Sequence, residues 1–301
     1  MNERVADDRL AGLFEEHRGG LRAVAYRMLG SVSEADDVVQ EAWLRLSRSD
    51  VSGVDNLGAW LTTVVARLCL NMLRARRTRR EDPLEAQSGP DGGPVVGPAG
   101  GLTGGADPEE EAVLADSVGV ALLVVLDRLS PAERLAFVLH DLFAVPFEDI
   151  AVMLERTPQA VRQLASRARR RVRGGDAPRP DAPQRRRVVE AFLAATRGGD
   201  FEALVKLLHP DVVLHADRRV VPTPEPIVVR GARRVAEGAM AATGRARFTG
   251  VALVDGVPAL AMAPYGRLSV VLTFTFDGDL ITGVDVVAEP DRLRALEVAV
   301  A

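Results

Sequence analysis

A stretch of 29 residues, 82–110, divides the chain into parts that must fold separately. Thirteen of its residues are Gly or Pro, six are acidic and none is basic. Such a segment buries too little apolar surface to offset the entropy lost on ordering, which predicts a flexible linker. A second, Pro-rich linker, GGDAPRPDAPQ, covers 174–184. The 301-residue chain is therefore predicted to contain three domains, at 1–81, 111–173 and 185–301.

The sequence lacks the features that metal sites, disulfides and membrane spans require. The sequence contains no run of about 18 apolar residues, so no membrane span is predicted. The N-terminus lacks the basic-then-apolar start of a secretory signal. Cys69 is the single cysteine, which excludes an internal disulfide and a multi-cysteine metal site, and the four histidines are scattered. We therefore expect a cytoplasmic protein with no metal, no cofactor and no membrane association.

Positive charge is concentrated in two short segments, although the net charge is −4. Residues 74–80 hold five arginines and residues 156–173 hold seven, and neither segment contains an acid. Arginine makes bidentate contacts to phosphate and guanine that lysine cannot make. Codon bias can explain the excess of arginine over lysine but not this clustering, which indicates nucleic-acid contacts.

Residues 129–172 have the pattern of a helix-turn-helix. Ser130 precedes Pro131 at a helix start, and Thr157 and Pro158 begin another helix after a short turn. The second helix of such a motif enters the major groove of DNA. A helical hairpin with a solvated basic end is the alternative. The predicted groove-facing residues are Arg162, Gln163, Ser166 and Arg167.

Residues 9–80 are predicted to form helices with two unusual faces. One helix, starting at Ser33, carries an acidic face of Asp36, Asp37, Gln40 and Glu41. The next helix, which Asn56 can cap, carries Trp60, Asn71, Arg74 and Arg77. An aromatic ring together with amide and arginine groups suits unstacked single-stranded bases. On their own, the acids fit a solvated face, and Trp60 fits a core.

From about residue 185 the sequence pattern changes from helical to a mixture of helices and strands. Two helices precede strand-like segments that alternate apolar and polar residues, with turns at Asp255-Gly256 and Asp277-Gly278. This pattern predicts an α+β unit with a curved antiparallel sheet.

Residues 9–80 and 111–173 together resemble the extracytoplasmic-function group of the sigma-70 superfamily. Residues 185–297 resemble SnoaL-like domains of the NTF2-like fold, which sigma factors of the sigma-J type carry. The resemblance implies two all-α sigma domains, the second with a helix-turn-helix, followed by a cone-shaped α+β domain. It also implies that the acidic face binds core RNA polymerase. The set around Trp60 would contact the −10 promoter element, and the set around Arg162 the −35 element.

Two motifs of the sigma-J type have counterparts in the C-terminal part. A DGGGK-like loop corresponds to residues 217–220, where only Asp217 is kept, and an NPDKL-like stretch corresponds to residues 289–293. A WLPE-like stretch between the helical domains is missing. The resemblance implies a regulatory contact, for which the candidates are Asp217, Pro290, Asp291 and Leu293.

The predicted function is transcription initiation with core RNA polymerase and promoter DNA as partners, without covalent chemistry. The C-terminal domain would modulate activity, and two roles are open for it: binding a small ligand in a pocket, or only packing on the helical domains. One alternative is a ligand-sensing helix-turn-helix regulator that does not engage polymerase. A second is an enzyme fused to a DNA-binding unit, with acid–base candidates at His209, Asp211, His215 and Asp217.

Overall fold

A computed structural model describes residues 2–51, 53–81, 119–174, 181–220, 223 and 225–300. The predicted linker 82–110 and most of the predicted linker 174–184 lie outside the described residues. The described residues form two compact units. The helical unit contains residues up to 81 together with 129–169, and the sheet unit contains 119–128 together with 170–300.

Three long helices begin the helical unit, namely α1 (Asn2–Leu29), α2 (Val32–Leu46) and α3 (Leu57–Glu81), and they pack against one another. The Ala59 N–H donates to Asn56 Oδ1 at 3.0 Å, so the predicted cap of α3 is confirmed. The predicted start of α2 at Ser33 is wrong by one residue. Val32 is buried and extends the apolar stripe of α2, so the helix begins there and Ser31 flanks it.

The second part of the helical unit is the predicted helix-turn-helix. It contains α5 (Pro131–Phe137), a π-helical turn (Val138–Leu142), α6 (Phe147–Leu154) and α7 (Pro158–Arg173). Ser130 and Glu133 form a reciprocal capping box at α5. Between α6 and α7 the chain turns through Glu155, which has a positive φ of 55°, and the Ala160 N–H donates to Thr157 Oγ1 at 3.2 Å. The caps predicted from the sequence are therefore present.

The sheet unit is built on seven strands in the order β2-β1-β6-β5-β4-β3-β7. Their bounds are β1 (Leu208–Ala216), β2 (Ile227–Arg230), β3 (Thr249–Val254), β4 (Val257–Met262), β5 (Val270–Asp277), β6 (Leu280–Val287) and β7 (Val298–Val300). The sheet was predicted to be antiparallel. It is mixed instead, because β1 and β6 pair in parallel. A β-hairpin can join only antiparallel neighbours, and β1 and β6 are far apart in sequence.

Helices cover one face of this sheet. They are α8 (Ala182–Gly198), α9 (Phe201–Leu207), α10 (Ala232–Ala241) and the short α11 (Thr243–Ala246), while α12 (Pro290–Ala295) leads into β7. The core on this face contains buried residues from α8 and from β1, β4, β5 and β6. The predicted α+β class of the C-terminal part is confirmed.

The opposite face of the sheet carries α4 (Val120–Asp127), which packs against β3 and β7. The residues of this helix were predicted to belong to the second helical domain, 111–173. Six of its eight residues are buried apolar side chains, and a helix that is apolar on all sides must be buried all round. Val120 lies directly against Gly250 of β3, where the missing side chain leaves room for the helix. The Arg128 guanidinium, just after α4, donates to the carbonyl oxygens of Leu296 and, at 2.9 Å, Leu293.

Replacing Gly250 with alanine is expected to loosen the packing of α4 on β3. The new Cβ would lie 2.9 Å from Val120 Cβ, and overpacking of this kind costs about 1–3 kcal/mol. We expect faster amide hydrogen exchange in α4 of the full-length protein, with exchange in α6 and α7 unchanged. Gly244→Ala is the matched control, since its Cβ would meet no atom within 4 Å. Equal exchange in α4 of the two variants would contradict the described packing.

Candidate functional site

The acidic face of α2 is accessible. Asp36, Asp37 and Gln40 are exposed and Glu41 is half-buried. Asp36 accepts hydrogen bonds from Arg22 at 2.6 and 3.2 Å, and Glu41 accepts one from Arg45 at 3.0 Å. A groove between α1 and α2 adjoins this face and is lined by Phe14, Asp36, Gln40 and Trp43. The four predicted residues therefore share one surface beside an aromatic pair, whose ring centroids are 5.2 Å apart.

The predicted single-strand contacts of α3 form a stripe along the helix. Trp60 is half-buried, and Asn71 and Arg74 are exposed on the same side. Arg67, which is exposed, lies between Trp60 and Asn71 on this stripe and completes it. Arg77 is also exposed but lies about 60° around the helix from Arg74. Helical spacing from Trp60 was the signal that could have placed Arg67 in this set.

The predicted groove-facing residues of α7 are all exposed. The buried residues Val161, Leu164, Ala165 and Ala168 define its inner face, so Arg162, Gln163, Ser166 and Arg167 lie outside it. The Arg162 guanidinium donates to Glu148 at 2.9 Å and stacks over the Phe147 ring at 5.5 Å. Arg167 lies 3.6 Å from Glu133. Arg170, which the sequence places on the same face, is exposed near its middle, and so is Gln159, which was not predicted.

Asp217 joins the two C-terminal motifs. Its carboxylate accepts hydrogen bonds from the Ala288 N–H at 2.9 Å, the Glu289 N–H at 3.0 Å and the Arg292 guanidinium at 2.5 Å. Arg292 also donates to Asp285 at 2.7 Å. Burial opposes ionisation of Asp217, but these three donors outweigh it, and the pKa of Asp217 lies below its ordinary value. The carboxylate thereby holds the start of α12 against the end of β1.

The other predicted regulatory residues differ in accessibility. Pro290 and Asp291 are exposed, whereas Leu293 is buried and its carbonyl oxygen accepts from Arg128. Asp217 is buried as well. The exposed part of the predicted contact surface is therefore the first turn of α12, and Asp217 and Leu293 hold that turn in place.

The sheet unit encloses a cavity of about 320 Å³ between α8, α10, α11 and the sheet. Aliphatic side chains form most of its wall. His209, Asp211, His215 and Asp217 are not among its lining residues, and the described lining contains no Asp, Glu, His, Cys, Ser or Tyr. Leu214 and Ala216 line the cavity while His215 is exposed, as strand alternation requires. A ligand pocket was one of two alternatives that the sequence left open, and the composition of this wall could not be predicted.

The described part of the chain lacks both a metal-ligating cluster and a reactive thiol. No group of three or more His, Cys, Asp and Glu side chains there could hold a metal ion. No described helix is both long and apolar enough to cross a membrane. Cys69 is buried in α3, and this burial raises the pKa of its thiol to about 12, so it remains protonated at neutral pH.

Two family models match the chain. Sigma-70 region 2 matches residues 13–79, and Sigma-70, region 4 matches residues 119–172. Over 291 residues the chain is 35% identical to the probable ECF RNA polymerase sigma factor SigI of Mycobacterium tuberculosis, an alignment that spans 96% of each protein. The chain belongs to the extracytoplasmic-function (ECF) family of RNA polymerase sigma factors.

A second ECF sigma factor of Mycobacterium tuberculosis, SigJ, is 44% identical over 228 residues, which cover 74% of this chain and 69% of SigJ. The crystal structure of SigJ aligns with 94% of this chain, at 34% identity and a TM-score of 0.44, and the alignment covers 98% of the SigJ chain.

Membership of the ECF sigma factors assigns the helices to two sigma regions. Region 2 spans most of α1 to α3, and region 4 spans α4 to α7. The first helix of region 4 is thus the helix that packs on the C-terminal sheet. ECF sigma factors are transcription factors and not enzymes. The predicted fold class, with two helical sigma domains and an α+β domain, is confirmed.

Asp217→Asn is expected to weaken the junction between β6 and α12 by about 1.5–3 kcal/mol at neutral pH, the range for hydrogen bonds to a charged group. The pKa of Asp217 is lowered in the folded protein, so its ionisation stabilises the fold above the ordinary aspartate pKa. This stabilisation is lost as the pH falls through the lowered value. The loss of hydrogen-exchange protection at residues 285–295 should therefore be large at pH 7 and shrink in acid.

Asp291→Asn is the control for this measurement, because Asp291 is exposed and its carboxylate pairs only with the neighbouring Arg294, at 2.8 Å, among the residues described. A pH-independent effect of Asp217→Asn, or an equal effect of Asp291→Asn, would contradict the role given to the Asp217 carboxylate.

Proposed function

We propose that this chain recruits core RNA polymerase through the acidic face of α2 and recognises promoters through the arginine-bearing faces of α3 and α7. The observation that carries the proposal is that one helical unit presents all three surfaces. Run-off transcription with purified core polymerase tests it. Specific transcripts from a promoter selected by the full-length protein are the expected result.

The stripe on α3 supports a role at the −10 element. Trp60 offers an aromatic surface for an unstacked base, and the exposed side chains of Arg67, Asn71 and Arg74 continue along the same side. Among the described residues, Arg67 and Arg74 have no ion-pair partner, so phosphate does not have to displace a carboxylate there.

The exposed face of α7 supports a role at the −35 element. Side chains that can reach base edges, such as Arg162 and Gln163, lie beside Ser166 and Arg170, which suit phosphate or base contacts. Arg162 is held by Glu148, an exposed pair that contributes little and can be exchanged for a contact to DNA.

The C-terminal domain is proposed to regulate initiation without catalysis. The wall of its cavity lacks the side chains of acid–base chemistry in the described residues, which supports a binding function. The packing of α4 on β3 and β7 supports regulation, since α4 belongs to region 4. Pro290 and Asp291, on the exposed turn of α12, are the proposed contact residues. The alternative of a regulator that does not engage polymerase is disfavoured by the match to region 2.

Asp37→Lys is expected to weaken capture of core polymerase without affecting folding. Asp37 is exposed and, within the described chain, its carboxylate has no hydrogen-bond or ion-pair partner, unlike those of Asp36 and Glu41. Charge reversal there changes the surface without breaking an internal pair. The matched control is Glu237→Lys, an exposed acid on α10 with the same change in charge. Unchanged capture by Asp37→Lys in a pull-down of core polymerase would refute this surface assignment.

Arg162→Ala and Arg74→Ala should separate the two DNA roles. Loss of a base contact by Arg162 is expected to cost about 1–3 kcal/mol on −35 duplex and to relax specificity at one position. Arg74→Ala should leave binding to that duplex unchanged but weaken binding to single-stranded −10 DNA and reduce its salt dependence. Binding measured by fluorescence anisotropy with both DNAs distinguishes these outcomes. Similar behaviour of the two variants on −35 duplex would contradict the division of roles.

A further inference from the structure

The cavity of the sheet unit is apolar in its interior. Phe192 and Leu193 of α8, Leu260 of β4, Leu272 of β5 and Val284 and Val286 of β6 form much of its wall. Its volume of about 320 Å³ lies within the range of small-molecule sites. Apolar walls of this kind favour a ligand whose buried part is hydrocarbon.

The two hydroxyl groups in the wall are already used within the protein. Thr196 Oγ1 donates to the Phe192 carbonyl at 2.9 Å, and Thr249 Oγ1 donates to the Arg245 carbonyl at 3.3 Å. Neither hydroxyl therefore has a donor to offer to a ligand. A carbonyl or carboxylate oxygen placed deep in the cavity would therefore find no hydrogen-bond donor, which is costly.

Positive charge is found where the cavity meets the surface. Arg234 and Arg245 both line the cavity and both are exposed. Within the described chain neither has a carboxylate partner, whereas the neighbouring Arg233 lies 3.8 Å from Glu202 and stacks over Phe201. Among the described residues, the Arg245 guanidinium donates only to the Val220 carbonyl, at 3.5 Å. Two guanidinium groups at the rim that have no carboxylate partner in the described chain favour an anionic group there, and arginine binds carboxylates with particular strength.

Small residues keep the entrance open. Gly238 and Ala241 are exposed lining residues on α10, and a Cβ at Gly238 would meet no atom within 4 Å. A larger side chain at Gly238 would therefore fit without disturbing the fold and would extend over the entrance.

We propose that this cavity binds an aliphatic monocarboxylic acid, with its hydrocarbon chain inside and its carboxylate at Arg234 and Arg245. The ligand would be held non-covalently, since the described wall offers no nucleophile or acid–base pair. This proposal does not depend on the function in transcription, because binding is measured without polymerase or DNA.

Calorimetric titration of the full-length protein with three ten-carbon probes tests the proposal. Decanoate is expected to bind with one site per chain and decan-1-ol about tenfold more weakly, the factor expected for losing hydrogen bonds to a charged group. Decyltrimethylammonium, which carries the opposite charge, is expected not to bind. The proposal is overturned if decanoate does not bind, or if the alcohol or the cation binds as tightly.

Two pairs of variants locate the site. Arg234→Gln combined with Arg245→Gln should reduce decanoate affinity about tenfold, to that of the alcohol, and leave alcohol binding unchanged. Arg233→Gln, outside the cavity, should change neither. Gly238→Phe should abolish binding of both probes, whereas Gly244→Phe, at an exposed position that does not line the cavity, should not. Unchanged binding by Gly238→Phe, or equal loss in Gly244→Phe, would show that the probes bind elsewhere.

Discussion

The sheet of the C-terminal unit is apolar on its helix-covered face and, at β3 and β4, on the other face as well. The burial of these two apolar surfaces determines which segments of the chain stay together. One face is covered by α8, α10 and α11, with the cavity between these helices and the strands. Strand alternation places Ala252 and Val254 of β3 on the face opposite the cavity, and both side chains are buried there. The helix α4 packs on this strand. Because apolar burial is the dominant favourable term in folding, the first helix of sigma region 4 is drawn to the C-terminal sheet.

The helical unit combines a buried apolar core with exposed faces that carry positive charge. The formal net charge is −4, yet the exposed faces of α3 and α7 are rich in arginine. On α7, Arg162 and Arg167 lie near Glu148 and Glu133, so part of this charge is neutralised in the absence of DNA. Exposed pairs of this kind are weak, and phosphate can replace the carboxylates. Association with DNA would then depend on salt through both the phosphate contacts and these internal pairs.

Local features could be predicted from the sequence, and non-local ones could not. The caps at Asn56, Ser130 and Thr157 follow from hydrogen bonds that span only three residues, and the structure contains all three. The start of α2 differed by one residue because the buried Val32 belongs to the apolar stripe of the helix, so that Ser31 and not Ser33 stands at its N-terminal boundary. Helical periodicity also places the exposed Arg67 on the stripe of Trp60, although Arg67 was not among the predicted contacts.

The parallel pairing of β1 with β6 could not be predicted, because the sequence pattern does not show which distant strands pair. In the same way, the apolar sequence of α4 indicated burial but not the surface that buries it. The roles assigned to Asp36, Trp60 and Arg162 remain predictions that binding experiments can test. Asp217 was singled out through a resemblance, and the structure adds a physical reason, since its carboxylate joins residues more than 70 positions apart.

The distribution of tryptophan gives the protein a built-in optical reporter. The chain contains two tryptophans, Trp43 and Trp60, and both lie in the helical unit. Trp43 packs against Phe14, beside the acidic face, and Trp60 is half-buried on the α3 stripe. The sheet unit has no indole of its own, so tryptophan emission is blind to events confined to that unit. A change in emission when a molecule enters the cavity would therefore show that the helical unit responds to that molecule, and it could be recorded in the unlabelled wild-type chain.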